Sequence, residues 1–147
     1  MLDLTILTDN NTLIDRYYLG EPGLSFWIDC GDKKFLFDTG YSDVFIRNAA
    51  WMGIDLTLMD GLVYSHGHND HTWGTHSLVS LFDRRELSRR PQLTAHPLVF
   101  ENKTHGGLTI GTMMGAEALG RYFDLALSAE PRELAPGLWW LGEIPEA

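Results

Sequence analysis

The most informative stretch of this chain is Ser65-His66-Gly67-His68-Asn69-Asp70-His71. It holds three of the six histidines and an aspartate, and it directly follows the apolar run Gly61-Leu62-Val63-Tyr64. That run is short, apolar and followed by turn-forming residues, which is the pattern of a buried strand. The sequence therefore predicts that imidazoles and a carboxylate gather in one loop at the end of a sheet.

The spacing of these side chains predicts a metal site. In an extended loop, His66 and His68 lie two residues apart and project to the same side. Asp70 and His71 follow a bend and face a second point. Imidazole nitrogen and carboxylate oxygen are ligands that zinc prefers, and pairs of such ions serve hydrolysis by sharing a water. The alternative is a histidine-rich surface loop that binds metal only incidentally.

The pattern His-x-His-x-Asp-His resembles the signature of the metallo-β-lactamase-fold hydrolase superfamily. Phe35-Leu36-Phe37-Asp38-Thr39-Gly40 is similar to the strand-Asp-Thr-Gly element that precedes the metal loop in that superfamily. Asp9-Asn10-Asn11-Thr12 and Gly142-Glu143-Ile144-Pro145 resemble a narrower subgroup, which contains dihydropterin-linked aminobenzene-phosphate synthases and uncharacterised metal-dependent hydrolases. The resemblance runs from Leu2 to Pro145 and ends about half-way through a full-length member.

This resemblance implies an α/β fold, the N-terminal half of a metallo-β-lactamase-like αβ/βα sandwich, with a mixed sheet flanked by helices. Residues 1–147 would form one partial domain. His66 and His68 would bind the first metal, Asp70 and His71 the second, and Asp70 would also act in catalysis. Full-length members supply the remaining ligands from their second half, so each site here is one ligand short of a catalytic zinc site.

Two further residues are candidates for the site because each follows a predicted strand. Asp38 ends the strand predicted over 34–38, where its carboxylate can fix the orientation of a ligand histidine or cap a helix. His96 follows the strand predicted over 92–95, and its alternative is a histidine packed by its neighbours. The loop 13–23 is expected either to bring Arg16 or Tyr17 to a substrate or to pack on the edge of the core.

The remaining patterns predict alternating strands and helices. The hairpin of residues 24–29 and 34–38 and the final hairpin-like pair near 133–142 are expected to be β structure. Helices are expected from Ser42 or Asp43 to about Met52, over 72–82 with an extension through Arg90, and over 111–121.

Composition excludes several functional classes. The formal charge is −9 and the pI is near 4.9 over 147 residues, so a phosphate-binding nucleic-acid surface is not expected. One cysteine, Cys30, excludes an internal disulfide and fits a reducing compartment. The start at Met1 lacks a signal-peptide pattern, and no apolar run reaches membrane-spanning length. A cytoplasmic protein is the expectation.

Three functional hypotheses remain. The first is a metal-dependent hydrolase in which metal-activated water attacks an ester, amide or phosphoester of a small-molecule substrate, with one or two ions that are zinc, iron or manganese. The second is a non-catalytic or degenerate metal-binding module. The third, implied only by the resemblance to the subgroup, is a pterin-related synthase.

Half a sandwich would also expose one apolar sheet face, and a homodimer or a second chain is expected to cover it. Five aromatic residues are expected to contribute to such a face: Trp27, Phe35, Phe37, Trp139 and Trp140.

Overall fold

The structure, a computed structural model, describes residues 1–87 and 89–145. Within these ranges the chain builds one six-stranded sheet and two two-stranded hairpins. The strands of the sheet are β1 (Asp3–Thr8), β2 (Ser25–Asp29), β3 (Lys34–Phe37), β4 (Gly61–Val63), β5 (Gln92–Ala95) and β8 (Asp124–Leu127). The hairpins pair β6 (Thr104–His105) with β7 (Leu108–Thr109), and β9 (Arg132–Ala135) with β10 (Leu138–Trp140). The helices are α1 (Val44–Trp51), α2 (Asn69–Thr72), α3 (Thr75–Arg84) and α4 (Ala116–Leu119), with 3-10 turns at Leu56–Leu58 and Pro97–Phe100.

The sheet is mixed, in the order β1-β2-β3-β4-β5-β8. Strands β1 to β3 form an antiparallel meander, whereas β3, β4, β5 and β8 pair in parallel. The carboxyl ends of parallel strands meet at one edge of a sheet, and ligands bind at that edge. Asp38 follows β3, the metal loop follows β4 and His96 follows β5, so the topology brings the three together. The predicted α/β class is confirmed.

Helices α1 and α3 cover one face of this sheet. Their buried positions recur every three or four residues, which is the spacing of one helix face. They pack on every second residue of the strands, and the residues between these point to the opposite face of the sheet. The two helices and the strand residues that they cover form the main core. Its members include Phe45, Ala49, Leu78, Phe82, Leu36, Leu62 and Leu93.

The β9–β10 hairpin covers part of the opposite face. Trp140 and Ala135 pack there against Ile28, Phe35 and Val63. The expectation of an exposed aromatic face is therefore wrong in part. Phe35 is buried beneath this hairpin, and Trp140, which belongs to the hairpin, is buried against the sheet. Trp27 points to the helical face and lies in the main core. Phe37 is half-buried, and Trp139 is exposed.

Two of the three predicted helices differ from the structure. The helix predicted over 72–82 is broken, because α2 ends at Thr72 and α3 begins at Thr75. The extension through Arg90 is wrong, since the chain becomes extended at Arg85 before it enters β5; Ser88, within that prediction, lies outside the described residues. The helix predicted over 111–121 shrinks to α4, which lies between Gly115 and Gly120.

The break between α2 and α3 lies where Gly74 meets the turn that follows β3. A Cβ built on Gly74 would lie 2.0 Å from the backbone oxygen of Thr39 and 2.7 Å from that of Ser42. The backbone amide of Gly74 donates to the oxygen of Gly40 over 3.2 Å. Glycine is thus required here by the close approach of two backbones.

Replacing Gly74 by alanine should therefore lower the free energy of unfolding by about 1–3 kcal/mol, because the turn after β3 must move. Chemical denaturation of the full chain measures this change. Gly115→Ala is the matched control, since a Cβ at that position meets no atom within 4 Å. Equal stability of the two variants would contradict the role assigned to the close approach.

Candidate metal centre

Three residues of the metal loop bring their ligand atoms to one point. His66, Asp70 and His71 each offer one ligand atom, and these three atoms lie within 4.8 Å of one another. No other such group of three appears among residues 1–87 and 89–145. Two imidazoles and a carboxylate fit a catalytic zinc site, which has three protein ligands and an open position.

His68 stands beside this group and is not a member of it. Its ring centroid lies 4.6 Å from that of His66, while the His71 ring lies 4.3 Å from His66 on another side. The two-by-two assignment of ligands to two metals therefore stays a prediction. What the structure brings together is His66 with the pair Asp70 and His71.

Asp38 lies beneath the cluster, and its carboxylate is buried. It accepts hydrogen bonds from the amide of Ser65 over 2.8 Å, from the Ser65 hydroxyl over 2.6 Å and from Nδ1 of His71 over 2.7 Å. Its backbone has φ of +53°, in the left-handed region that few residue types other than glycine, asparagine and aspartate adopt readily. The amide of Thr39 donates to the oxygen of His71 over 2.8 Å, which fastens this turn to the metal loop.

These hydrogen bonds fix the tautomers of two histidines. A carboxylate only accepts, so Nδ1 of His71 carries the proton that it shares with Asp38. The Ser65 hydroxyl gives its proton to Asp38, and its oxygen therefore accepts from Nδ1 of His66, 2.9 Å away. Each neutral imidazole then keeps its lone pair on Nε2, which is the arrangement that a metal ligand needs.

The same neighbours move the pKa values of the two histidines in opposite directions. Burial lowers the pKa of His66 below its ordinary 6.5, and the nearby His71 and His68 lower it further. The hydrogen bond to Asp38 raises the pKa of His71 above 6.5, against the effect of burial.

In the metal-free protein, His71 should therefore hold its proton to a higher pH than His66, which histidine ring NMR measures. Protonated His71 stabilises the metal-free fold fully below about pH 6.5, and this contribution is lost as the pH rises through the raised pKa. His66 contributes in the opposite sense, since its lowered pKa favours the fold once it is neutral. Asp38→Asn should remove the elevation at His71, and an unchanged His71 titration in that variant would contradict the assignment.

His96 lies at the same edge, beside a cavity that His66 and Ser65 also line. Its Nδ1 accepts from the amide of Leu98 over 3.2 Å, which places the proton of the neutral ring on Nε2. In that tautomer the ring donates a hydrogen bond and has no lone pair to offer a metal. Its membership of the site stays a prediction, with hydrogen-bond donation as the role that this contact favours.

The other two histidines and the loop 13–23 are not part of the cluster. His76 and His105 are exposed on α3 and β6. Tyr17 in the loop 13–23 is largely exposed with φ of +60°, and contact with substrate stays a prediction for this loop.

Sequence reasoning gave no role to Ser65. Its position between Asp38 and His66 emerges only in the folded chain, although a hydroxyl directly before the first loop histidine was the available signal.

The metallo-beta-lactamase superfamily matches residues 19–134 of the chain. The 7,8-dihydropterin-6-methyl-4-(beta-D-ribofuranosyl)-aminobenzene-5'-phosphate synthase of Methanocaldococcus jannaschii is 30% identical over 142 residues, which cover 88% of this chain and 46% of that protein. An uncharacterised protein of the same organism is 27% identical over 97% of this chain and 53% of its own length. The chain thus spans about half the length of the curated relatives it matches.

Solved structures agree with this match. A metal-dependent hydrolase of the beta-lactamase superfamily superimposes with a TM-score of 0.74 at 25% identity, over 95% of this chain and 47% of that chain. A subclass B3 metallo-beta-lactamase from a soil metagenome library gives a TM-score of 0.53 at 17% identity, over 78% of this chain and 44% of that chain, a similarity of fold alone. The predicted fold, the N-terminal half of such a sandwich, is confirmed. Among the helices of the described ranges, none is long and apolar enough to cross a membrane.

Proposed function

The chain belongs to the metallo-beta-lactamase superfamily, and we therefore propose that it is a metal-dependent hydrolase. The proposed metal centre consists of His66, Asp70 and His71. Membership of the superfamily supports metal-dependent hydrolysis in general; the ligand set, metal and substrate belong to the proposal. The observation that carries it is the convergence of three ligand atoms within 4.8 Å. The hydrogen bonds of Asp38 and Ser65 support it, because they leave Nε2 of both imidazoles available.

When bound, a divalent ion supplies an activated water for attack on an ester, amide or phosphoester. Zinc fits this ligand set, and iron and manganese also accept imidazole and carboxylate. Asp70 is partly exposed, with Oδ2 3.6 Å from Nε2 of His71, so its carboxylate can accept a proton of the attacking water and orient it. Asp38 holds His71 in place and, through Ser65, holds His66.

A second copy of the chain is proposed to cover the sheet face that the β9–β10 hairpin leaves open. Leu4 and Ile6 of β1 pair in register with Ile28 and Phe26, so they lie on the same face as the hairpin. Both are about half-exposed, at 53% and 52%. The chain matches about half of a solved structure of this superfamily, and an equivalent partner would supply a second half. Two-fold homodimers are also the commonest oligomers.

Size-exclusion chromatography with light scattering tests this association. The expected result is a dimer that Leu4→Lys or Ile6→Lys converts to monomer. Dimerisation that is unaffected by both substitutions would contradict the assigned face.

Two other functions remain as alternatives. A non-catalytic metal-binding module would use the same ligand cluster without turnover. A synthase function is suggested only by the name of the 30% identical relative, of which this chain covers 46%. Fold similarity does not choose among them.

The experiment that separates hydrolysis from mere metal binding is an assay of the purified chain with 4-nitrophenyl acetate, bis(4-nitrophenyl) phosphate and a chromogenic β-lactam. Each substrate is tested with zinc, manganese or ferrous iron and after chelation. Hydrolysis that requires metal and disappears in His71→Ala, but persists in the exposed control His76→Ala, supports the proposal. Metal binding without turnover of these substrates would favour the binding module.

A further inference from the structure

We infer that a cavity beside the metal centre binds the anionic group of an organic substrate, with Nε2–H of His96 as the hydrogen-bond donor. The inference rests on the proposed function for its role in hydrolysis. The cavity has a volume of about 300 Å³ and opens between the metal loop and the segment that follows β10. Because His66 and Gly67 form one wall, a ligand held there lies next to the metal ligands.

His96 lines this cavity, and the donor is its Nε2, an atom that the protein buries. A ligand oxygen reaches it when a neighbouring side chain such as Glu143 turns aside. The other ring nitrogen of His96, Nδ1, accepts from the Leu98 amide, so Nε2 carries the hydrogen. No residue of the described ranges accepts a hydrogen bond from it. A buried N–H without an acceptor costs free energy that a ligand oxygen would recover.

The structure already brings one carboxylate towards that donor. Oε2 of Glu143 lies 3.9 Å from Nε2 of His96, beyond hydrogen-bond distance, on a side chain that is largely exposed. The Glu143 amide donates to the oxygen of Ala129 over 2.7 Å, so the backbone is anchored while the side chain is free to turn. A substrate carboxylate or phosphate would take the place that Glu143 approaches.

A positive charge lies against the wall that the metal loop forms. Nζ of Lys103 donates to three backbone oxygens, those of Leu98, Val99 and Glu101, each over 3.2 Å. These partners are neutral carbonyl groups, so they hold the ammonium without cancelling its charge. A Cβ on Gly67 would lie 3.0 Å from Nζ, which places this charge directly against the metal loop. Its field favours an anion in the cavity.

The remaining wall is apolar and fits the organic body of such a ligand. Trp140, Val99 and Ile144 line it, and the Trp140 indole is fixed by a hydrogen bond to the oxygen of Ser128 over 3.3 Å. An apolar pocket with a few convergent polar groups is the usual form of a small-molecule site. With its apolar wall, the His96 donor and the Lys103 ammonium, this cavity favours an apolar ligand that carries a carboxylate or phosphate.

The test uses the full chain after metal removal, so that a bound ion cannot itself capture the anion. Benzoate, phenyl phosphate and neutral benzamide are titrated while NMR follows the ring N–H of His96 and the indole N–H of Trp140. Both anions are expected to bind, with benzamide at least about tenfold weaker because it lacks the charge. The tighter of the two anions identifies the group as carboxylate or phosphate.

Three variants locate the binding. His96→Asn keeps a side-chain acceptor for the Leu98 amide and removes Nε2–H, so it should weaken anion binding about tenfold. Glu143→Gln should tighten binding, since it removes a competing carboxylate. His76→Asn is the matched control and should bind as the unmodified chain does.

Equal binding of benzamide and benzoate, or unchanged affinity in His96→Asn, would overturn the inference. Anion binding that appears only with metal present would also overturn it, while leaving the proposed metal centre intact. Anion binding by a chain that never retains metal would contradict the proposed function and support the subsite alone.

Discussion

Replacing Asp38 by asparagine should weaken divalent-metal binding by about 10- to 100-fold, the usual effect of losing a group that orients a ligand histidine. Asparagine has the same shape and tolerates φ of +53°, so the turn itself is preserved. In Asp38, Oδ2 accepts from both the Ser65 hydroxyl and Nδ1 of His71, and Oδ1 accepts from the Ser65 amide. Asparagine replaces one of these oxygens by an NH2 group, which donates hydrogen bonds and accepts none. The NH2 group therefore faces either the Ser65 amide or the two side-chain donors, and the hydrogen bonds that hold both imidazoles in the metal-binding tautomer are weakened.

Competition with a chromophoric chelator measures this loss. Asp43→Asn is the matched control, because Asp43 is exposed at the start of α1 and its side chain makes no capping hydrogen bond. Metal affinity that is equal in Asp38→Asn and Asp43→Asn would show that Asp38 does not organise the centre.

His71→Ala should have a larger effect, with metal retention reduced to background and metal-dependent hydrolysis abolished. The variant leaves two ligands, His66 and Asp70, and a two-ligand site does not hold zinc in a catalytic geometry. It also removes one of the donors to the buried carboxylate of Asp38, which should lower the free energy of unfolding by about 1–3 kcal/mol.

The comparison with His68→Ala distinguishes one ion from two. If one ion is held by His66, Asp70 and His71, His68→Ala keeps that ion, because His68 lies outside the group. If the loop divides its ligands between two ions, His68→Ala loses metal as well. The exposed His76→Ala should retain full metal content in either case.

Much of the fold could be predicted from local sequence. A short apolar run before a histidine-rich loop is enough to predict β4 and its loop, and alternating patterns predict the hairpin of β2 and β3. The need for glycine at position 74 could not be predicted, because it depends on the backbone oxygen of Thr39, 35 positions earlier in the chain. The burial of Trp140 likewise depends on where the β9–β10 hairpin folds back.

For the candidate site, the residue types and their location could be predicted from the sequence, but their grouping could not. The residue types of the metal loop and the strand-end position of Asp38 directed attention to the right edge of the sheet. The grouping of His66 with Asp70 and His71 depends on how the loop bends after Gly67. The hydrogen bonds of Ser65 depend on its contact with Asp38, 27 positions earlier in the chain. The cavity at His96 lies between segments 65–67, 96–103 and 140–144, and no local sequence pattern predicts that these segments meet.

This chain should hold a divalent ion at His66, Asp70 and His71 without any other protein. The most direct test is elemental analysis of the size-exclusion peak, for the unmodified chain and for His71→Ala. At least one tightly held ion per chain, lost in His71→Ala, is the predicted result. A substoichiometric, weakly held ion in the unmodified chain, or equal metal content in the variant, would contradict the claim.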